Sequence, residues 1–350
     1  MNHTPLRRRM IIALAALATA FVLTACSSQA TGAPSGSTKS KITVAFVSPQ
    51  KAGDNGPIDD MIAAQSRLKA KYGVTTKYIE LSDPSTYEST LQNLGQAGTT
   101  YVVTAFPGMQ QPVQDVAPKF PNTHFVLIFG DKFSPALKNA RSISYNIYEA
   151  MYVSGVAAAN LTKNGSVGYI GGAPQPPLNA DYHAFTAGAK SVNPSIKVTG
   201  AFVGSFDDAA KGQSIAAAMI AGGVDVVQTD AAAASMGVIK AAALGDTLVL
   251  ADSSGAVAAQ YPKTVVGTTF LKFGNSFYTQ ISDAIEHGFK GGYATSGLSD
   301  GIVGLNISPA FLSGGSPMAA KVKELEATLT KTKEEVSSGA VKVTFDPSNI

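Results

Sequence analysis

One cysteine and no tryptophan occur among 350 residues, and only 15% of the chain is charged. A lone thiol excludes an internal disulfide framework. The four histidines, His3, His124, His183 and His287, are scattered and none stands at metal-ligand spacing from another. No Gly-x-Ser-x-Gly elbow and no phosphate-loop lysine motif occurs, so spacing alone exposes no nucleophile and no nucleotide-phosphate cradle. Positive charge is scarce where it matters. Residues 1–25 hold three arginines and no acid, so without them 27 basic residues fall to 24 against 24 acidic ones. A neutral body with no Lys/Arg stripe cannot displace counterions from a nucleic acid, which excludes that partner.

What is present begins at the N-terminus. Arg7, Arg8 and Arg9 precede an apolar run from Met10 to Leu23, followed by Leu23-Thr24-Ala25-Cys26. The run is about 14 residues, short of the roughly 20 needed to span a bilayer as a helix. Small residues occupy the peptidase position, so residues 1–25 read as an export signal and the four-residue motif as a lipobox. Cys26 is then the expected lipidation site. The alternative is an incidental residue at the end of an ordinary secretory signal. Two or more acyl chains hold a protein firmly on a bilayer, which predicts a lipid-anchored protein on the extracytoplasmic side of the cell membrane. Residues 27–41, rich in Ser, Gly, Thr and Ala, read as a flexible tether. No later apolar stretch is long enough to cross a bilayer.

The remaining chain exceeds what one hydrophobic core usually organises, so two lobes are expected. Apolar β-branched runs alternate with helical patterns, which predicts α/β lobes with mostly parallel sheets. The first set of strands is predicted at 42–47, 76–81, 101–105, 125–129 and 142–145, with helices over 58–71 and 87–97. The second set is predicted at 166–170, 197–203, 225–228, 247–251 and 265–269, with helices near 180–191, 209–221 and 235–243. A patterned helix follows at 275–287, then a charged helix from about 318 to 335 and a strand-like segment at 341–345. The resulting division is an N-terminal lobe over 42–146 with return segments after about 252, and a C-terminal lobe over 147–251 with return segments from about 272 to 350.

In doubly wound sheets ligands meet the loops at the carboxyl ends of the strands. After the first strand, Gly53-Asp54-Asn55-Gly56-Pro57-Ile58-Asp59-Asp60 permits a tight turn. Asp59 or Asp60 caps or charges the following helix start, or Asp54 or Asp59 accepts hydrogen bonds from a polar ligand. The Asp cluster superficially resembles the calcium motif of nucleoside hydrolases, but two of that motif's acids fall on Gly53 and Asn55. Gly171-Gly172 is followed by Pro174, Pro176 and Pro177 rather than directly by a helix, which excludes a dinucleotide fingerprint there. In Gly204-Ser205-Phe206-Asp207-Asp208 one acid is expected to cap a helix, and Phe206 either plugs the core or stacks on a flat ligand. Asp252 ends an apolar strand in a carboxylate suited to sugar hydroxyls. Lys272, just past another strand, either reaches the cleft or is solvated.

At these residues the chain resembles the basic membrane protein family of bacterial lipoproteins, the nucleoside-binding components of ABC importers. The similarity runs from about Ile42 to His287. It rests on Ala117-Pro118-Lys119-Phe120-Pro121 through Phe125, the stretch Glu149–Ala158 with Gly155, Gly165–Gly172, Phe185 with Gly188, Asn193-Pro194, Gly204–Asp208 and Asp225. The resemblance implies two doubly wound lobes of the type I periplasmic-binding-protein kind, hinged around a cleft, with no catalytic step and no cofactor or metal. It implies that Asp252 bonds ribose hydroxyls, that Lys272 lies in the cleft, and that Phe206 stacks on the base. The turn at 54–59 stands where the family has an Asp-x-x-Phe-Asn motif, whose Phe and Asn are here Pro57 and Ile58. The acid that the family carries after its fourth strand is here Phe129, which replaces the lost stacking ring or fills core. Ser254 takes the place of a second acid, and Asp230 stands where small residues are usual. The function expected from the resemblance is capture of a nucleoside, a purine nucleoside above all, and its delivery to a membrane permease. The alternatives are a binding protein for another small polar ligand such as a sugar, or a calcium-dependent nucleoside hydrolase.

Overall fold

The computed structural model describes residues 42–53, 57–252 and 255–350. Cys26 and Asp54 lie outside the described residues. Five strands come first: β1 (Thr43–Ser48), β2 (Thr75–Glu80), β3 (Tyr101–Ala105), β4 (His124–Ile128) and β5 (Ala140–Tyr145). The helices α1 (Pro57–Tyr72), α2 (Tyr87–Gln96) and α3 (Gln110–Val116) connect them. After α4 (Ile147–Leu161) a second series follows, β6 (Ser166–Gly171), β7 (Lys197–Phe202), β8 (Val226–Asp230), β9 (Leu248–Ala251) and β10 (Val265–Leu271), interleaved with α5 (Pro176–Val192), α6 (Ala209–Ala221), α7 (Ser235–Leu244) and α8 (Gly255–Gln260). The chain ends with α9 (Phe273–His287), β11 (Gly292–Ser296), β12 (Val303–Ile307), α10 (Pro309–Ser313) and α11 (Ala319–Ser337).

Two six-stranded sheets result, ordered β11-β5-β4-β3-β1-β2 and β12-β10-β9-β8-β6-β7. All pairs are parallel except β10 with β12. Central parallel strands need both faces covered, which is why their sequences read as unbroken apolar runs rather than alternations. Tyr101–Ala105 is buried at every position. One face of the first sheet packs Phe46, Ile143 and Tyr145 against Ile58, Met61 and Leu68 of α1 and Phe277 and Ile281 of α9. Its other face packs Val47, Phe125 and Leu127 against Leu91 and Val113. Along α1 the buried residues are Ile58, Met61, Ala64, Gln65 and Leu68, a stripe at helical period. Asp59 and Asp60 in its first turn and Lys69 and Lys71 in its last match the helix dipole.

Three departures from the expected pattern have physical causes. The return to the first sheet comes later than residue 252, because β10 stays in the second sheet and only α9 and β11 go back. The segment 341–345 is not a strand, for it meets no sheet edge. It straps the second lobe instead, with Phe345 against Tyr148 at 5.7 Å and the Pro347 carbonyl accepting from Asn179 Nδ2 at 3.0 Å. Finally, α4 is a long helix with no single apolar stripe, buried from Ala150 through Ala158 at all but one position.

Among the described residues the chain passes between the sheets three times: at Asn146, at Lys272 and along 297–302. The passages lie side by side. Asn146 N–H donates to the Ser296 carbonyl at 2.8 Å and Lys272 N–H to the Ile302 carbonyl at 2.8 Å. Glu149 Oε2 accepts from Leu298 N–H at 2.8 Å, while its Oε1 accepts from Asn146 Nδ2 at 2.9 Å. Parallel strands that feed these passages place the carboxyl ends of both sheets at the hinge, where ligand-binding loops are expected.

Candidate functional site

At the carboxyl end of the first sheet, Phe106 follows β3 with φ +72° and Phe129 follows β4 with φ +62°. A bulky residue in the left-handed region costs about 1–3 kcal/mol and persists only where its surroundings enforce it. Here the Phe106 N–H is bonded to the Ile128 carbonyl at 2.8 Å and the Gly130 N–H to the Ile143 carbonyl at 2.9 Å. Both rings turn toward Phe273, the first residue of α9. Phe106 lies 5.9 Å from Phe273 and Phe129 6.2 Å, both edge-on. Tyr145, at the end of β5, stacks with Phe129 at 5.8 Å and meets the edge of Phe273 at 5.9 Å. The Tyr145 hydroxyl donates to Ser276 Oγ at 2.7 Å, and burial holds it protonated. Four rings from three strand ends and one helix start thus form an aromatic wall. Three of them, Phe106, Phe129 and Phe273, are half-exposed.

Beneath this wall the starts of α1 and α9 are tied. Asp60 Oδ2 accepts from the Gly274 N–H at 2.7 Å, so this acid caps the neighbouring helix rather than its own. Asp59 Oδ1 accepts from the Gly53 N–H at 2.8 Å and closes the turn after β1. Phe273→Ala removes contacts to three rings. We expect a loss of about 2–3 kcal/mol, below the 3–5 typical of fully buried phenylalanines because the ring is half-exposed. The urea midpoint at unchanged m-value measures it.

The second sheet presents a different chemistry. Asp252, just past β9, accepts from Thr229 Oγ1 at 2.7 Å and Ser235 Oγ at 2.6 Å on Oδ1, and from the Ala232 N–H at 2.8 Å on Oδ2. Its carboxylate therefore also holds the end of β8 to the start of α7. At the end of β8 Asp230 accepts from the Tyr169 hydroxyl at 2.8 Å. Burial, reinforced by the negative charge of Asp252, pushes the Asp230 carboxyl up to about 7. The Phe206 ring lies on Gly172, where a Cβ would stand 2.3 Å from a ring carbon. Of the two acids that follow Phe206, Asp208 rather than Asp207 caps α6, accepting from the Lys211 N–H at 2.9 Å. Lys272 Nζ rests 4.6 Å above the Phe270 ring and shares no bond with Asp252.

The residues singled out in the sequence thus distribute over the hinge. Phe129 belongs to the first wall, Phe206 and Asp252 to the second, Lys272 to a passage between them, and Asp59 to the turn after β1. Phe106, Tyr145 and Phe273 went unread, although Phe106 ends its strand just as Phe129 does.

A sequence model of PnrA-like ABC transporter substrate-binding proteins matches residues 41–339. The chain belongs to that family. Among PnrA-like relatives it is 28% identical to the nucleoside-binding protein BmpA of an ABC transporter in Lactococcus lactis, over 96% of this chain and 99% of the relative. It is 33% identical to a purine-binding protein of Brucella abortus over 55% of this chain and 56% of that one. Among solved structures, an ABC transporter solute-binding protein from Conexibacter woesei superposes with a TM-score of 0.70 at 22% identity, covering 87% of this chain and 98% of the other. The resemblance drawn from Ala117–Phe125, Gly165–Gly172 and Gly204–Asp208 is therefore correct, and so is the expected fold of two α/β lobes joined by a hinge. This PnrA-like chain is a substrate-binding protein of an ABC transporter.

Proposed function

We propose that this substrate-binding protein captures a nucleoside, a purine nucleoside above all, between its two lobes and presents it to a permease. The observation that carries the reading is the pairing at the hinge of an aromatic wall with an acidic one. Half-exposed rings offer π-faces to a flat base, and carboxylates accept from sugar hydroxyls. In this reading Phe129 with Phe106 and Phe273 lines the base from the first lobe and Phe206 from the second. Asp252 and Lys272 take the sugar side, and Asp54 or Asp59 the polar edge of the base. The nucleoside-binding and purine-binding names of the two relatives support the same ligand class. Binding energy realised only when both lobes touch the ligand shifts the hinge toward its closed state.

A thermal-shift screen of purine and pyrimidine nucleosides, free bases and sugars tests the ligand class. A purine nucleoside at about a hundred times its Kd adds about 2.7 kcal/mol, a rise of several degrees. A shift with sugars alone contradicts the nucleoside reading. Base release in the presence of calcium would replace it with the hydrolase.

We also propose that Cys26 carries the lipid and that the protein works on the outer side of the cell membrane. Cys26→Ser is expected to move the protein from the membrane fraction to the soluble one. Retention of the variant in the membrane fraction refutes the anchor.

A further inference from the structure

Around Asp252 the end of β8 and the start of α7 supply a ring of donors. The hydroxyls of Thr229 and Ser235 both give their protons to Oδ1, at 2.7 and 2.6 Å. Neither hydroxyl is free to turn away. Thr229 Oγ1 accepts from the Asp252 N–H at 3.3 Å, and Ser235 Oγ accepts from the Ala231 N–H at 3.2 Å. A hydroxyl that accepts from a backbone N–H keeps one proton to give, and in each case that proton meets Oδ1. Thr229 is 0% and Ser235 1% exposed, so no water and no ligand competes for these protons. A carboxylate oxygen has two acceptor positions, so Oδ1 is full.

The third donor is fixed by the backbone. Ala232 has φ +50°, in the left-handed region, and its N–H lies 2.8 Å from Oδ2. A residue with a Cβ keeps that conformation only where its surroundings hold it. Here the carboxylate holds it, and the bond takes one of the two acceptor positions on Oδ2. One position remains, on a side chain that is only partly buried.

The neighbouring acid does not make up the shortfall. Successive residues of a strand point to opposite faces. Thr229 faces Asp252, so Asp230 points to the other side of β8, where its Oδ2 accepts from the Tyr169 hydroxyl at 2.8 Å.

We propose that Asp252 reads a single sugar hydroxyl rather than a vicinal pair, and that the cleft therefore admits deoxyribonucleosides as well as ribonucleosides. The inference rests on the nucleoside reading above and narrows it. To grip the 2′,3′-diol of a ribose, a carboxylate needs an open acceptor position for each hydroxyl. This carboxylate has one. The hydroxyl that fills it gains a charge-assisted bond, and the other gains nothing from Asp252.

Calorimetry on wild type with adenosine, guanosine and inosine, and with the 2′-deoxy, 3′-deoxy and 2′,3′-dideoxy analogue of each, is the test. One of the two mono-deoxy analogues is expected to bind within about threefold of its parent. The other is expected to bind about 10- to 100-fold more weakly, together with the dideoxy compound. In Asp252→Ala that gap should close to within about threefold, because the group that reads the hydroxyl is gone. A loss of about tenfold or more in both mono-deoxy analogues overturns the proposal, since the diol is then read as a pair. Parent-like binding of the dideoxy compound overturns it too, since no hydroxyl is then read. A gap that persists in Asp252→Ala assigns the hydroxyl to another residue and has the same consequence. The wild-type series needs no variant, so an unfolded Asp252→Ala leaves the test intact. Binding of none of the three parents overturns the nucleoside reading and this inference with it. A bound parent with two weak mono-deoxy analogues leaves that reading standing and removes the single-hydroxyl inference alone.

Discussion

Asp252→Ala is expected to weaken nucleoside binding about 10- to 100-fold and to destabilise the folded chain by about 2–4 kcal/mol. Both effects come from one carboxylate with divided duties. Oδ1 already accepts from two hydroxyls and Oδ2 from one backbone N–H. A carboxylate offers about four acceptor sites. One site on Oδ2 therefore remains for a ligand hydroxyl, and a single hydrogen bond to a charged acceptor contributes about 1.5–3 kcal/mol. Truncation also strands Thr229, Ser235 and the Ala232 N–H, which were bonded to the lost oxygens. Calorimetry at a temperature where the variant is folded separates the two effects. Unchanged affinity with lowered stability would leave Asp252 a purely structural residue.

Gly155→Ala is expected to cost about 3 kcal/mol or more, at the upper end of overpacking penalties. A Cβ at Gly155 would stand 2.0 Å from the Phe185 carbonyl oxygen, and one at Gly188 would stand 2.0 Å from the Tyr152 carbonyl oxygen. The two glycines thus mark reciprocal points where α4 and α5 touch backbone to backbone. No side-chain rotamer relieves such a clash. The helices must separate, and α4 is the helix that covers the second sheet next to the hinge. Urea unfolding of Gly155→Ala and Gly188→Ala measures the loss, and a midpoint equal to wild type would mean that the helices have room to spare.

The strands were legible because both faces of each sheet are covered, so Val44–Val47 and Tyr101–Ala105 read as apolar runs. For the same reason α4 was not: a helix buried nearly all round carries no stripe for periodicity to detect. The segment 341–345 alternates like an edge strand, yet its Phe345 is spent on Tyr148 of α4 and the segment pairs with no strand. Phe129 was readable from the family resemblance, which places it where the family carries an acid. Tyr145 and Phe273 were not, because only the passage of the chain between the lobes brings β5 and the start of α9 together. Asp181 resembles any solvated helix acid in sequence. Its burial is a product of the tertiary fold alone.

The family assignment fixes a substrate-binding protein, and the nucleoside proposed as its ligand rests on the two walls at its hinge. Isothermal titration of the mature protein with guanosine, adenosine and inosine, with ribose and glucose as comparators, tests that most directly. The account predicts saturable binding of a purine nucleoside at one site per chain, with a negative heat-capacity change from burial of the base against the aromatic wall. Saturable binding of a sugar with no heat from any nucleoside would contradict it.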